Sequence, residues 1–161
     1  DEVSCRMGFM FFPDMQRAAH EMARVLKPGG RIATAVWAGP EKNFWVTCMM
    51  QNIKKHIELP APVPGAPGMF RCAKPGLIAG LFRNAGLKEV AEREVSCTVG
   101  VSGPEEYWNM MTDVAAPFVA ALGKADAESV AKVKADVIAS MTERYPQGHI
   151  DGGALVITAV K

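Results

Sequence analysis

A helix-to-strand joint at residues 26–32 (LKPGGRI) constrains the fold of this chain more than any other stretch. Pro28 has no amide hydrogen and cannot continue a helix, while the two glycines after it allow the positive φ angle that a tight reversal needs. Upstream, apolar residues recur at helical spacing over residues 15–26, and Asp14 stands where an N-cap belongs. The joint therefore predicts a helix that ends at residue 26 and a strand that begins shortly after it.

The strand predicted after the joint is a short, nearly unbroken apolar run at residues 32–37. Such a run is typical of a strand that is covered on both faces. A second run of this kind, at residues 3–5, precedes the helix. Two strands joined by a helix favour a parallel pair with a right-handed crossover, which indicates an α/β fold.

The remaining chain continues to alternate between helical and extended patterns. Residues 59–68 hold four prolines and two glycines, which predicts an extended surface loop. Elsewhere the patterns predict helices over 41–57, from Pro75 to a C-terminal Gly86, from Ser102 to a break at Pro117, and over 127–144, with strands over 88–101 and 154–160. This alternation is typical of a layered α/β protein.

Several segments of the sequence resemble those of a known protein family. They are residues 1–14 (DEVSCRMGFMFFPD), 24–31 (RVLKPGGR), 35–37 with 40–43 (AVW, PEKN), 82–90 (FRNAGLKEV) and 153–159 (GALVITA). In this order they resemble the second half of class I S-adenosylmethionine (SAM)-dependent methyltransferases. The branch they resemble most is the small-molecule enzymes related to ubiquinone and menaquinone biosynthesis methyltransferases, or methyltransferase type 11.

This resemblance implies a partial Rossmann-like methyltransferase sheet built from strands 4, 5, 7 and 6 of the family fold, with flanking helices. The first three strands of that fold are not represented in residues 1–161. Strands 4 and 5 would be parallel, the last strand would lie antiparallel beside strand 5, and the 88–101 strand would take the far edge. We expect a single domain over residues 1–161, in which residues 102–146 form a helical insertion or lid before the last strand.

The resemblance also implies positions for a binding site at the carboxyl ends of the strands, where open α/β sheets bind ligands. Cys5, Arg6 and Met7 follow strand 4 and would lie against the methionine part of SAM; the alternative for Arg6 is a solvent-exposed side chain. The side chains that could line the pocket for the methyl acceptor are aromatic: Phe9, Trp37, Phe44, Trp45, Tyr107 and Trp108. Aromatic residues at helical spacing also occur as core, and both roles stay open.

The expected cofactor is SAM, bound only by the complete fold. In the family, a glycine-rich turn after the first strand and an acid after the second hold the cofactor, and no GxGxxG follows a strand in this sequence. We therefore expect the chain to be the C-terminal part of a methyltransferase acting on a small molecule, and not to bind SAM fully by itself. The alternative is a non-catalytic module that forms a homodimer through an exposed sheet edge, which the missing N-terminal half would otherwise cover.

The composition and the motifs also bear on other classes of function, such as nucleic-acid, membrane or metal binding. The 161 residues are 49% hydrophobic and 22% charged with a net charge of +1, which does not favour a nucleic acid or membrane partner. The four cysteines form no CxxC pair and are expected to be small buried side chains, so we predict no metal site. No Ser-His-Asp order identifies a catalytic residue, and His149 is the one histidine worth testing as a base. No secretion signal is seen, and the protein is expected to be cytoplasmic.

Overall fold

A computed structural model of the protein describes residues 1–61 and 63–161. Its strands are β1 (Glu2–Arg6), β2 (Arg31–Trp37), β3 (Lys88–Gly100) and β4 (His149–Val160). Its α-helices are α1 (Met15–Val25), α2 (Phe44–His56), α3 (Leu77–Asn84), α4 (Pro104–Val114), α5 (Ala116–Leu122) and α6 (Ala127–Arg144), and short 3-10 helices cover Phe9–Phe11 and Pro40–Lys42. The mixed α/β class predicted from the sequence is confirmed.

The chain divides into two compact units. The first consists of the described residues among Asp1–Lys42, Pro62–Cys97 and Gly153–Lys161, and the second of Asn43–Ala61 and Thr98–Gly152. The first unit holds α1, α3, β1, β2 and most of β3 and β4, while the second holds α2, α4, α5 and α6. The predictions of a single domain and of a lid over residues 102–146 stay predictions.

The sheet has the order β1-β2-β4-β3. β1 runs parallel to β2, with Glu2 paired with Arg31 and Arg6 with Ala35. β2 runs antiparallel to β4, from Arg31 opposite Val160 to Trp37 opposite Ala154. This order confirms the partial methyltransferase-like sheet: the two parallel strands are adjacent, the last strand inserts beside the second, and β3 occupies the far edge.

Local chemistry explains where α1 begins and where β2 follows. Asp14 caps the helix, since its Oδ1 accepts a hydrogen bond of 2.9 Å from the amide of Arg17. The joint after the helix uses Gly29 in a left-handed conformation, with φ at 77°. A Cβ on Gly30 would stand 2.8 Å from the carbonyl oxygen of Lys27, so the second glycine is needed for space.

The core of the first unit lies between the sheet and helices α1 and α3. Phe9 is fully buried and packs edge-on against Phe12 at 5.6 Å and Phe82 at 5.9 Å between ring centroids. From the strands, Ile32 and Ile157 are buried in the same cluster. Each fully buried side chain of this size contributes roughly 1.5–3 kcal/mol of transfer free energy, so this cluster is the main stabilising element of the unit.

The core of the second unit is built mainly from helices. Its fully or nearly fully buried side chains include Met49, Ile53, Tyr107, Met111, Val133, Val137 and Met141. One polar residue crosses this core: the side-chain amide of Asn52 on α2 donates to the carbonyl of Cys48 at 3.0 Å and to Ser140 Oγ on α6 at 3.2 Å. Because the buried amide has partners on both sides, it links two helices without an unsatisfied polar group.

Some predicted boundaries differ from the structure. Helix α3 begins at Leu77, because Gly76 before it takes a φ of 80°, which excludes Pro75 from the helix. Strand β4 begins at His149, earlier than predicted, since its Gly152 and Gly153 continue the strand. The break at Pro117 is confirmed: α4 ends at Val114 and Pro117 lies in the first turn of α5.

Two further features concern the proline-rich segment and the character of the helices. Most of the 59–68 segment has no helix or strand, in line with the predicted loop, and Pro62 lies outside the described residues. Among the residues that the structure describes, no helix combines the length and the apolar character needed to cross a bilayer.

Candidate functional site

The carboxyl ends of β1 and β2 form the candidate site in the first unit. Their parallel register places Arg6 beside Ala35, and the amide of Met7 donates to the carbonyl of Ala35 at 2.8 Å. Buried Thr34 donates from Oγ1 to the carbonyl of Cys5 at 2.7 Å. These bonds fix the ends of β1 and β2 to each other, so the residues that follow the two strands are attached to a rigid part of the sheet.

Met7 has an unusual backbone conformation, with a φ of 52°. A non-glycine residue in the left-handed region costs of order 1 kcal/mol or more and persists only when its surroundings enforce it. Here the hydrogen bond to Ala35 fixes its amide. The next residue, Gly8, has little space for a side chain, since a Cβ there would stand 3.1 Å from Cys5 Sγ. Such strained turns at the carboxyl end of a parallel strand are common where a backbone faces a ligand.

The three predicted cofactor-binding residues thus lie at the end of β1 and in the turn that follows it. Arg6 is exposed, whereas Cys5 and Met7 are partly buried and pack against the core of the first unit. Arg6 supplies an exposed positive charge that can pair with a carboxylate, and the turn at Met7 supplies backbone groups. Contact with SAM by these residues stays a prediction.

Trp37 is the predicted acceptor-pocket residue at the end of β2. It is partly buried and packs against the first unit's core, and the next amide, of Ala38, donates to the carbonyl of Gly153 at 3.0 Å. Lys42 lies over this connection, because a Cβ on Gly153 would stand 2.8 Å from Lys42 Cβ. A 2.7 Å hydrogen bond to Glu94 holds the ammonium and raises the pKa of Lys42.

Phe9, the other predicted pocket residue of the first unit, is fully buried between Phe12 and Phe82. Its ring therefore contributes to packing in this structure. In the second unit Tyr107 is also fully buried, and its hydroxyl donates to the carbonyl of Trp45. Burial strongly raises the pKa of Tyr107, so this phenol stays protonated.

The remaining predicted aromatic residues, Phe44, Trp45 and Trp108, belong to the second unit. Trp45 donates from its indole nitrogen to Asn43 Oδ1 at 3.2 Å, and Trp108 is nearly buried. Phe44 meets Tyr145 edge-on at 5.9 Å. A role for any of the six aromatic residues in acceptor binding stays a prediction.

The sequence reasoning missed a cluster of Arg144, Tyr145 and Asp151 beside Phe44. The guanidinium of Arg144 lies 5.9 Å from the ring centroid of Phe44 and 5.8 Å from that of Tyr145, and 3.8 Å from a carboxylate oxygen of Asp151. The Tyr145 hydroxyl donates to Asp151, and burial followed by this carboxylate raises the pKa of Tyr145 to about 12. The Arg144-Tyr145 pair at the C-terminal end of the predicted helix 127–144 was the signal available in the sequence.

The cysteines and histidines complete the inventory of reactive groups. Cys48 and Cys72 are buried as predicted, and burial raises the pKa of Cys72 to about 11. Cys97 is exposed and Cys5 partly so, which corrects the expectation that all four are buried. His149 is exposed at the start of β4. Among the described residues, no group of three or more His, Cys, Asp or Glu side chains is arranged to hold a metal ion.

Comparison with known proteins gives one family and several relatives. Residues 1–34, which comprise β1, α1 and the start of β2, match the model of a family described as "Methyltransferase domain". An uncharacterised protein of Mycobacterium bovis, Mb1438c, is 32% identical over 164 residues, which cover 100% of this chain and 58% of that protein. The chain thus spans 58% of the length of this curated relative.

Among solved structures, the YcgJ protein from Bacillus subtilis is 15% identical with a TM-score of 0.51, covering 100% of this chain and 63% of that chain. A Haemonchus contortus phosphoethanolamine N-methyltransferase 2, solved in complex with S-adenosyl-L-methionine, is 12% identical with a TM-score of 0.44, covering 99% of this chain and 33% of that chain. The likeness to YcgJ shows a shared fold. Over its first 34 residues the chain resembles the methyltransferase domain family.

Proposed function

We propose that this chain is the C-terminal part of a SAM-dependent methyltransferase that acts on a small molecule. One observation carries the proposal: the family match covers β1, α1 and the start of β2, the elements that build the turn at Cys5, Arg6 and Met7. In this proposal the turn holds the amino-acid portion of SAM, with the guanidinium of Arg6 toward its carboxylate.

The chemistry that SAM supplies when bound is a methyl group on a positively charged sulfur. Displacement at that methyl group depends mainly on holding the acceptor in line, so positioning can supply much of the rate. The contribution of this chain is then a rigid turn: Met7 is fixed to Ala35 and Cys5 to Thr34. Such preorganisation lowers the entropic cost of ordering the ligand.

The test is isothermal titration of SAM and S-adenosylhomocysteine into two proteins, the 161-residue chain and the product of the complete open reading frame. We expect measurable heat from the complete product and weak or no binding by the chain alone. In the complete product, Arg6→Ala should weaken binding about tenfold through loss of a charge-assisted hydrogen bond.

The matched control is Arg31→Ala, because Arg31 is also an exposed arginine of the parallel pair but lies at its opposite end, beside Glu2. This variant should bind SAM like the wild type. A complete product that gives no heat with either ligand would overturn the proposal. Equal losses in the two arginine variants would show that Arg6 acts only through the overall charge.

A second candidate function is a non-catalytic module that associates with a second copy of itself. The observation in its favour is that β1 is one of the two edge strands of the four-stranded sheet that the described residues form. Edge strands carry unpaired backbone groups that readily take a further strand. Light scattering over a tenfold concentration range tests this candidate, and a constant monomer would remove it.

We also propose that the protein works in the cytoplasm. All four cysteines are free thiols, which a reducing compartment maintains. Fractionation of the native host, with the protein followed by a specific antibody, tests this location; recovery in the culture medium would contradict it.

A further inference from the structure

A short connecting segment, residues 8–13, joins the turn after β1 to helix α1. It begins with a tight bend, in which the amide of Phe11 donates to the carbonyl of Gly8 at 3.0 Å. Directly before it, Met7 keeps its φ of 52° while its amide is bonded to Ala35. A residue in this conformation relaxes unless the chain on both sides of it is held. The far end of the connecting segment therefore matters for the turn.

The far end of the connecting segment is held by the side chain of Arg71, 59 residues away from Phe12 in the sequence. The guanidinium of Arg71 donates from Nη1 to the carbonyl of Phe12 at 2.5 Å and from Nη2 to the carbonyl of Pro13 at 3.2 Å. Both carbonyls lie directly after the 3-10 helix Phe9–Phe11, where a helix leaves acceptors without donors of its own. Because the guanidinium carries its donors in a rigid fork, one side chain binds both carbonyls at once.

Arg71 is itself fixed within the first unit. Its amide donates to the carbonyl of Gly68 at 3.1 Å, which closes a turn at the end of the proline-rich stretch. The next residue, Cys72, is fully buried, and its thiol donates at 3.4 Å to Sδ of Met15, the first residue of α1. Cys72 thus anchors this turn in the core, and the guanidinium of Arg71 reaches the two carbonyls from a fixed position.

We propose that Arg71 is a positioning residue for SAM, because its guanidinium fixes the connecting segment and so holds the turn at Met7 in the conformation that receives the cofactor. The inference rests on the proposed function, which places the amino-acid portion of SAM at this turn. Without the guanidinium, the carbonyls of Phe12 and Pro13 turn to solvent and the strain at Met7 is released. SAM then has to order the turn as it binds, which lowers its affinity.

The alternative is that Arg71 only stabilises the fold. Phe9, in the middle of the connecting segment, also packs against Phe12 and Phe82. That packing fixes a ring, whereas Arg71 bonds the main chain. A loss of overall stability would speed hydrogen exchange throughout the first unit, whereas loss of the bonds from Arg71 should act only around the turn. The two roles are therefore separable by experiment.

The experiment compares the wild type with Arg71→Met, both made as the product of the complete open reading frame. Methionine keeps an unbranched side chain but has neither a charge nor a strong donor. In isothermal titration, the dissociation constant of S-adenosylhomocysteine should rise about fivefold. Hydrogen exchange followed by mass spectrometry should be about tenfold faster in residues 6–12 and unchanged in residues 154–160 of β4. Arg71→Lys keeps the charge and can bond one carbonyl, so it should give intermediate values.

Two control variants separate the bonds of Arg71 from charge and from stability. Lys74→Met removes an exposed cation from the same stretch of chain. Ile78→Val shortens a buried side chain of α3 in the same core, which lowers the stability of the unit. Neither control should change the dissociation constant more than about twofold. Neither should speed exchange in residues 6–12 more than in residues 154–160.

The outcomes that contradict the inference differ from those that contradict the proposed function. The positioning role is overturned if Arg71→Met binds S-adenosylhomocysteine like the wild type, or if Ile78→Val weakens binding equally. Exchange that becomes faster in β4 and in the turn alike would also overturn it. If the wild type gives no heat with SAM or S-adenosylhomocysteine, the proposed function fails, and the positioning role fails with it.

Discussion

At the scale of single residues, two glycines of helix α3 provide opposite tests of backbone conformation. Gly86 follows the helix with a φ of 83°, whereas Gly80 lies within it, and a Cβ at either position would meet no atom within 4 Å. We expect Gly86→Ala to lower the free energy of unfolding by about 1 kcal/mol, because alanine is strained in the left-handed region. Gly80→Ala should raise it by roughly 0.5–1 kcal/mol through helix propensity.

Urea denaturation of both variants measures these changes. The two substitutions add the same methyl group to the same region of the helix. If both changed the free energy of unfolding in the same direction, backbone conformation would not be the cause.

Tyr107 provides a test of a buried hydrogen bond. Its hydroxyl donates to the carbonyl of Trp45 in the helical core of the second unit. Tyr107→Phe should cost about 1 kcal/mol of unfolding free energy, since the ring volume is kept and one buried hydrogen bond is lost. Thermal unfolding followed by near-ultraviolet circular dichroism measures this.

The control for that prediction is Tyr145→Phe, which removes a hydroxyl that donates to the exposed Asp151. Solvent replaces the bond at that position, so the change should stay within about 0.5 kcal/mol. If Tyr145→Phe lowered the free energy of unfolding more than Tyr107→Phe, burial would not explain the difference between the two hydrogen bonds.

Residue-level signals in the sequence were informative where the chemistry is local. The cap at Asp14 and the end of helix α3 before Gly86 follow from neighbours within four positions, and both are confirmed. The left-handed turn at Met7 has no such signal, because methionine does not favour that conformation. It is imposed by the bond to Ala35, a contact that exists only after β1 and β2 have paired.

At the scale of elements, helices α2 and α6 are joined at the surface by one carboxylate. Asp136 on α6 accepts from His56 Nε2 at 3.0 Å and from Lys55 Nζ at 3.3 Å. The hydrogen bond from His56, followed by that from Lys55, lowers the pKa of Asp136 below its ordinary value of 3.8. The group therefore adds stability above that value, and this contribution is lost as the pH falls through the lower pKa of the folded state.

We expect Asp136→Asn to make the free energy of unfolding depend less on pH in the acid range. The wild type should be the more stable protein near neutral pH, and the difference between the two should shrink as the pH drops below 3.8. Urea midpoints measured between about pH 3 and 6 test this. Asp113→Asn, at an exposed carboxylate on α4, is the control and should run parallel to the wild type.

Elements were predictable to the extent that their patterns are periodic. The helix predicted over 127–144 coincides with α6, and Pro117 separates α4 from α5 as expected. The start of β4 was missed because Gly152 and Gly153 were taken to precede the strand. In the structure their backbone continues it, and Gly153 leaves space for Lys42. That space depends on a tertiary contact, which no local pattern contains.

At the scale of the whole molecule, charge sets the conditions under which the protein stays in solution. The net charge is +1 near neutrality and the isoelectric point is about 7.9. We expect solubility to be lowest near pH 8 and to rise on both sides, since a net charge near zero favours association. Turbidity of a concentrated sample across this range measures it.

The variant Arg17→Glu/Lys124→Glu changes two exposed cations and lowers the net charge by four. Its solubility minimum should move to lower pH, whereas Arg17→Lys/Lys124→Arg, which keeps the charge, should leave it in place. A minimum that is unmoved in the first variant would exclude net charge as the cause.

The candidate site was only partly predictable from the sequence. Cys5, Arg6 and Met7 are consecutive, so placing them at the end of a strand required only the strand itself. Phe9 and Tyr107 were candidates for pocket walls because they are aromatic, yet both are fully buried. The periodicity of a sequence shows that a side chain turns inward; whether it meets core or ligand is decided by elements that are distant in the chain.

The pairing of β2 with β4 has a consequence for how the protein is made. Arg31 lies opposite Val160 and Trp37 opposite Ala154, so the centre of the sheet joins positions more than 110 residues apart. During translation, β1, α1 and β2 are synthesised well before β4, the inner partner of β2, which follows more than 110 residues later. Nascent β2 therefore keeps an unsatisfied edge until elongation has passed residue 154, and we expect intermediates stalled before that point to depend on chaperones.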